Sequence, residues 1–141
     1  MTIVYFDSSA FVKLVIEEEG SDLAAALWDG CDAAVSSRLA YPEVRAALAA
    51  AARAGRVTPS GQRRAETLWA TFWRATRAVE LTDAVTAHAG ELAASYALRG
   101  ADAAHLASLL AVGDPTTLFA VWDQRLRAGA SAACVRVAPP V

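Results

Sequence analysis

Two rhythms of apolar residues run along this chain. Short dense apolar runs, bounded by polar or turn residues, alternate with longer stretches where apolar positions recur every three or four residues. The first run, IVYF, ends abruptly on Asp7, Ser8 and Ser9, so a buried strand is predicted over residues 2–7. A helix follows, with Phe11, Val12, Leu14 and Val15 on its apolar face and Ser8 or Ser9 as its cap. EEEG at 17–20 closes it as a solvated end. SDLAAALWDG predicts a short second helix, capped by Ser21 or Asp22 and stopped by Gly30. CDAAVSS at 31–37 predicts a second strand. A long alanine-rich helix is expected over 38–54, with Pro42 either in its first turn or kinking it.

The second half repeats the alternation. TPSG opens a helix that carries Leu68, Trp69, Phe72 and Trp73 on one face, and AVELT at 78–82 is a strand candidate. Helical spacing runs from Asp83 to Leu98, breaks at Gly100 and resumes from Asp102 to Val112. After the turn GDP come a strong strand, TLFAVWD at 117–123, a short helix from QRLRAG, and a last strand within AACVRVA. Strands that alternate with helices predict an α/β fold with a central, mostly parallel sheet of about four to five strands and helices on both faces. No linker, repeat or composition break divides the chain, and 141 residues suit one domain with a full core.

Composition narrows the chemistry. Apolar residues make up 55% of the chain, yet no run is long enough to span a bilayer, and Asp7 interrupts the place where a signal peptide would keep its apolar stretch. The expectation is a soluble, cytoplasmic protein with no membrane partner. Cys31 and Cys134 lack metal-ligand spacing and read as buried free thiols. Lys13 is the only lysine and reads as solvated, which excludes mechanisms that need a catalytic lysine elsewhere. A net charge of −2 excludes a basic nucleic-acid coat protein but leaves room for a local basic patch.

Ligand sites in open α/β sheets lie at the carboxyl ends of the strands. Two strong strands here both run into an aspartate, Asp7 and Asp123. A lone Asp after a strand is a common helix cap; two in matching places point to a site. Glu43 and Asp102 also fall near helix starts, among apolar neighbours. Four converging carboxylates repel one another unless a cation sits among them, and a hard divalent ion such as Mg²⁺ or Mn²⁺ answers that need. Without the four acids the rest of the chain stands at +2, so the metal would supply the attraction for phosphate that the whole protein lacks.

VYFDSSAFVKL, the Glu of YPEVRAAL, RGADAAHLAS and VWDQRL together resemble PIN-domain ribonucleases, and within them the VapC toxins of type II toxin–antitoxin pairs. The resemblance spans residues 1–141 as a single PIN domain with a three-layer fold. It implies a metal-dependent endoribonuclease that cleaves structured RNA such as tRNA or ribosomal RNA and inhibits translation. Asp7, Glu43, Asp102 and Asp123 would form its acidic quartet. Asp7, Asp102 and Asp123 would bind the metal directly, and Glu43 directly or through water, with Ser8 supporting Asp7. The implied partners are a cognate VapB-type antitoxin, a second copy in a homodimer, and promoter DNA reached only through the antitoxin. The family often has Thr or Ser two residues before its last Asp; here Val121 stands there.

Other residues carry alternatives. Arg99 and Arg125 can hold an RNA phosphate or a partner's acidic group, or simply shield the acids. His105 shares a helix face with Asp102 and reads as a satisfied, half-buried side chain more readily than as a general base. The Trp69, Phe72 and Trp73 stripe suits core or a dimer interface better than a base-stacking platform, and a groove for the antitoxin's helix is a third option. Two phosphotransfer classes are excluded: Ser9 replaces the second Asp of haloacid-dehalogenase-like phosphatases, and receiver domains need a late lysine. No glycine-rich loop follows the first strand, which argues against nucleotide binding. A catalytically weak or inactive PIN-fold binding module is the competing reading, and Val121 is its only sequence hint.

Overall fold

Strand β1 (Ile3–Phe6) lies at the centre of the sheet, and every one of its residues is buried. The computed structural model describes residues 1–141. Its remaining elements, in chain order, are α1 (Ser8–Val15), α2 (Ser21–Gly30), β2 (Ala33–Ser37), α3 (Ala40–Arg53), α4 (Pro59–Arg74), β3 (Arg77–Val79), α5 (Asp83–Tyr96), α6 (Gly100–Ala111), β4 (Leu118–Ala120), α7 (Gln124–Ala132) and β5 (Arg136–Ala138). The five strands are ordered β3-β2-β1-β4-β5 and all pairs are parallel. The predicted α/β fold is therefore present, with a wholly parallel sheet. No helix is long and apolar enough to cross a membrane.

The two-residue period of β1 divides the core. Ile3 and Tyr5 face a layer built from α5, α6 and α7, with Leu92, Leu106 and Leu126 at its centre. Val4 and Phe6 face the opposite layer, where Phe11 of α1, Val44 and Leu48 of α3, and Trp69 of α4 meet, with Trp28 of α2 packed on the side. Trp69 is a core residue, as expected; Phe72 and Trp73 are half-buried beside it. Leu68 leaves the stripe and is exposed, since it lies a third of a turn from Trp69.

Several local expectations change. Asp7, not a serine, is the N-cap of α1, its carboxylate accepting from the Ser9 amide. Gly20 precedes α2 at a φ of +93°, and the Ser21 side chain serves the preceding loop instead, accepting from Glu18 N and donating to Ile16 O. A side chain at position 20 would collide with the Trp122 ring nitrogen, so glycine is required there twice over. Lys13 is not solvated: its ammonium bonds Glu18 Oε1 at 3.0 Å and lies 5.4 Å from the Trp122 ring centroid. Cys31 is half-buried and Cys134 is exposed; both are free. Pro42 sits in the first turn of α3, where its missing N–H costs nothing.

Candidate active site

The chain leaves β1 for β2 and β3 on one side, then returns to β4 on the other. Strand order thus reverses between β1 and β4, and ligand clefts of open α/β sheets lie at such a reversal, beyond the carboxyl ends of the strands. Asp7 follows β1, Asp123 follows β4, and Glu43 and Asp102 lie in the first turns of α3 and α6. All four predicted acids reach this one edge.

Asp7 is fixed from both sides. Its amide donates to Ala120 O at 3.0 Å, tying the end of β1 to the end of β4. Its Oδ2 accepts from Ser9 Oγ at 2.8 Å, and that hydroxyl accepts from Trp122 N at 3.2 Å. Ser9 therefore supports Asp7. Ser8, expected in that role, instead donates to Glu43 Oε1 at 2.6 Å. The swap follows from helix geometry: successive residues point about 100° apart, so neighbouring serines cannot serve the same acid.

The residue that sequence reasoning undervalued is His105. It is 1% exposed, and both ring nitrogens are engaged. Nδ1 lies 2.8 Å from the Tyr5 hydroxyl, and Nε2 lies 2.6 Å from Glu43 Oε1 and 3.6 Å from Asp7 Oδ1. Burial opposes a charge on this ring, but the Glu43 hydrogen bond and the charges of Asp7, Glu43 and Asp102 outweigh it and raise its pKa. Glu43 is lowered in turn: burial raises it, but His105 and Ser8 outweigh that. An ionised Glu43 only accepts, so Nε2 carries a proton. Burial and the Asp7 charge hold the Tyr5 phenol well above its usual range, so it stays neutral. Sequence held one signal for this contact: His105 lies three residues after Asp102, on the same helix face.

The other two acids share a different cation. Arg99 Nε lies 3.2 Å from Asp102 Oδ2, and its Nη2 lies 3.5 Å from Asp123 Oδ2. Asp123 Oδ1 also accepts from Leu126 N at 2.9 Å and so caps α7. The Asp102 carboxyl is raised, by burial first and then by the charges of Asp123 and Asp7, against the pull of Arg99. Arg125 forms no ion pair with the acids and borders an open cleft with Tyr96 and Ala97. Val121 is fully buried in the core layer with Phe119.

The quartet thus stands as two pairs, Asp7 with Glu43 around His105, and Asp102 with Asp123 around Arg99. No three of these side chains close on a single point. Mutual repulsion accounts for the split, because each pair has turned to a protein cation. The donor set, carboxylate oxygens only, and the raised Asp102 both fit a hard divalent cation.

Comparison with known proteins identifies the family. The PIN domain family model matches residues 4–128, and the chain belongs to the PIN-domain family. Within it the chain is of the VapC kind. It is 68% identical over 139 residues to Ribonuclease VapC45 of Mycobacterium tuberculosis (strain CDC 1551 / Oshkosh), and equally to Ribonuclease VapC49 of Mycobacterium tuberculosis (strain ATCC 25618 / H37Rv). Each match covers 99% of this chain and 96% of the relative.

Proposed function

We propose that the protein is a Mg²⁺- or Mn²⁺-dependent endoribonuclease toxin. It would cleave structured RNA such as tRNA or ribosomal RNA in the cytoplasm, inhibit translation, and be neutralised by a VapB-type antitoxin. The observation that carries this reading is the arrival of four carboxylates from four separate elements at the β1/β4 reversal. The ribonuclease names of the two relatives support the substrate class. A homodimer, and promoter contact through the antitoxin alone, belong to the same reading.

In it, Asp7, Asp102 and Asp123 hold the ion, and Glu43 joins directly or through water. A bound divalent ion lowers the pKa of a coordinated water and offsets charge on the phosphodiester. Ser9 and the Ala120 carbonyl keep Asp7 still. Ser8 and His105 both bond Glu43 Oε1, which leaves Oε2 to take the proton of the attacking water. Arg99, 67% exposed between two acids, is placed to meet a phosphate oxygen. Val121, the sequence hint for an inactive binding module, is buried and offers the acids no hydroxyl, while the gathering of all four carboxylates at one edge favours the nuclease.

The test is induction of the protein alone in a bacterium, beside Asp7→Asn and Asp102→Asn, with RNA ends mapped by sequencing. Growth arrest and discrete new 5′ ends with the unaltered chain only are expected. Cleavage that persists in both variants sinks the site, and full activity of purified protein in EDTA sinks the metal. Release from arrest by a co-expressed VapB-type protein tests the antitoxin.

A further inference from the structure

We infer that the outer face of the α3–α4 hairpin is a second RNA-binding surface, which grips the phosphate backbone of structured RNA away from the acids; this rests on the ribonuclease reading above. The net charge of −2 hides an uneven distribution. Residues 44–74 hold six arginines, Arg45, Arg53, Arg56, Arg63, Arg64 and Arg74, against one acid, Glu66. That stretch carries a net charge of +5, and the rest of the chain −7. All six arginines are exposed, and none forms an ion pair. Arg45 donates to the Tyr41 hydroxyl; the other five guanidinium groups have no partner in the protein. Helices gain from opposite charges three or four residues apart, and this hairpin forgoes that gain, which leaves its mutual repulsion for an outside anion to relieve.

Arg53 ends α3, and Arg56 stands in the turn to α4. On α4, Arg63, Thr67, Ala70 and Arg74 recur at helical spacing along one stripe, opposite buried Ala65 and Trp69. The two arginines lie about 16 Å apart along the axis. Between them runs a shallow groove of about 480 Å³, also lined by Glu66 and Thr71. A protein interface or a membrane-bound helix needs an apolar or aromatic centre, and this stripe has none; the one large apolar side chain exposed on α4 is Leu68. A two-fold dimer through this face would set +5 against +5. Exposed guanidinium forks spread over two helices suit a chain of phosphates. The face is held at a fixed distance from the acids, since α3 runs unbroken from Glu43 to Arg53, about 15 Å along its axis. The Tyr41 ring at the start of α3 also stacks on Trp69 of α4 at 6.0 Å. An RNA that meets both sites therefore extends past the scissile phosphate by at least that distance, which favours folded RNA over short fragments.

The test measures binding of bulk bacterial tRNA to the full-length Asp7→Asn protein, used to prevent cleavage, over a salt series. Adding Arg63→Gln and Arg74→Gln together should weaken binding about tenfold near physiological salt and lower the slope of log affinity against log salt by about 1.5–2, one phosphate per arginine. Arg63→Lys with Arg74→Lys keeps the charge and should keep the slope. Arg127→Gln with Arg136→Gln removes the same charge from α7 and β5 and should leave the slope unchanged. An unaltered slope in the hairpin glutamine variant overturns the surface, as does an equal loss in the α7 and β5 variant. So does a hairpin glutamine variant that binds tRNA normally yet fails to hold a co-expressed VapB-type protein, which would assign the face to a protein. Cleavage of cellular RNA by the unaltered protein is scored separately: cleavage with a hairpin that does not affect tRNA binding removes the surface alone, and absence of both cleavage and tRNA binding removes the nuclease reading with it.

Discussion

Nε2 of His105 lies 2.6 Å from Oε1 of Glu43, across 62 positions of sequence and between helices on opposite faces of the sheet. The contact passes over the end of β1, and Tyr5 of that strand holds the other ring nitrogen. One buried imidazole thus joins the two helical layers at the edge where the acids meet.

This pair gives a signed pH dependence. The folded pKa of His105 is raised above the ordinary value of about 6.5, so its contribution is complete below that pH and is lost as pH rises through the folded value. Glu43 is lowered from about 4.3, so its contribution is present above that pH and is lost as pH falls through its folded value. Metal-free protein should be most stable between those two limits. In an NMR titration His105 should lose its proton above pH 6.5, and Glu43→Gln should move that midpoint down. A wild-type midpoint at or below the ordinary histidine value refutes the pairing.

Asp102 contributes in the opposite sense. Its folded pKa is raised, so stability is lost as pH rises through it, and the ionised form is a burden at neutral pH. Asp102→Asn should therefore raise the melting temperature in EDTA at neutral pH. Partial solvent exposure screens the repulsion, which keeps the gain within about 2 °C. The same variant should not cleave RNA. A fall in melting temperature contradicts the assignment, because structure and chemistry pull this residue in different directions.

Arg99 competes with any cation for Asp102 and Asp123. Arg99→Gln should tighten Mn²⁺ binding about two- to fivefold, the range of an exposed ion pair. Electron paramagnetic resonance of free Mn²⁺ reads this directly. The variant should also cleave RNA more slowly despite holding metal better, since the phosphate loses a guanidinium. Weaker Mn²⁺ binding would mean that Arg99 orders the acids rather than occupying them.

Val121 tests the core against the site. Introducing a hydroxyl there, Val121→Thr, places a polar group in a fully buried apolar layer. It should cost about 1–3 kcal/mol in urea unfolding and leave kcat unchanged. By comparison Leu106→Ala, which opens a cavity in the same layer, should cost about 2–5 kcal/mol. A faster Val121→Thr enzyme would show that this position reaches the acids after all.

The strand–helix alternation and the four acids were legible because each rests on short-range pattern: an apolar run, a carboxylate, a helix start. Which hydroxyl serves which acid was not. Ser8 and Ser9 are neighbours in sequence, but they diverge on the helix toward Glu43 and Asp7, and only the packing of α3 shows where Ser8 is received. His105 was undervalued for the same reason, since its partners Tyr5 and Glu43 lie 100 and 62 positions away. Lys13 read as solvated because the Trp122 ring reaches it only through the pairing of β4 with β1, far away in sequence. Cys134 read as buried from its apolar neighbours, but the turn that follows α7 holds it at a φ of +66° and turns it outward.

The sheet order also imposes a schedule on the molecule. Asp7 is made long before its anchors: the carbonyl that holds its amide belongs to Ala120, and the amide that steadies Ser9 belongs to Trp122. Asp123 comes later still. While the ribosome is building the chain, β1 has one open edge and its aspartate has no partner across it. Until Ala120 and Trp122 have been made, Asp7 and Ser9 lack these anchors, and the four acids cannot meet at one edge before Asp123 is added.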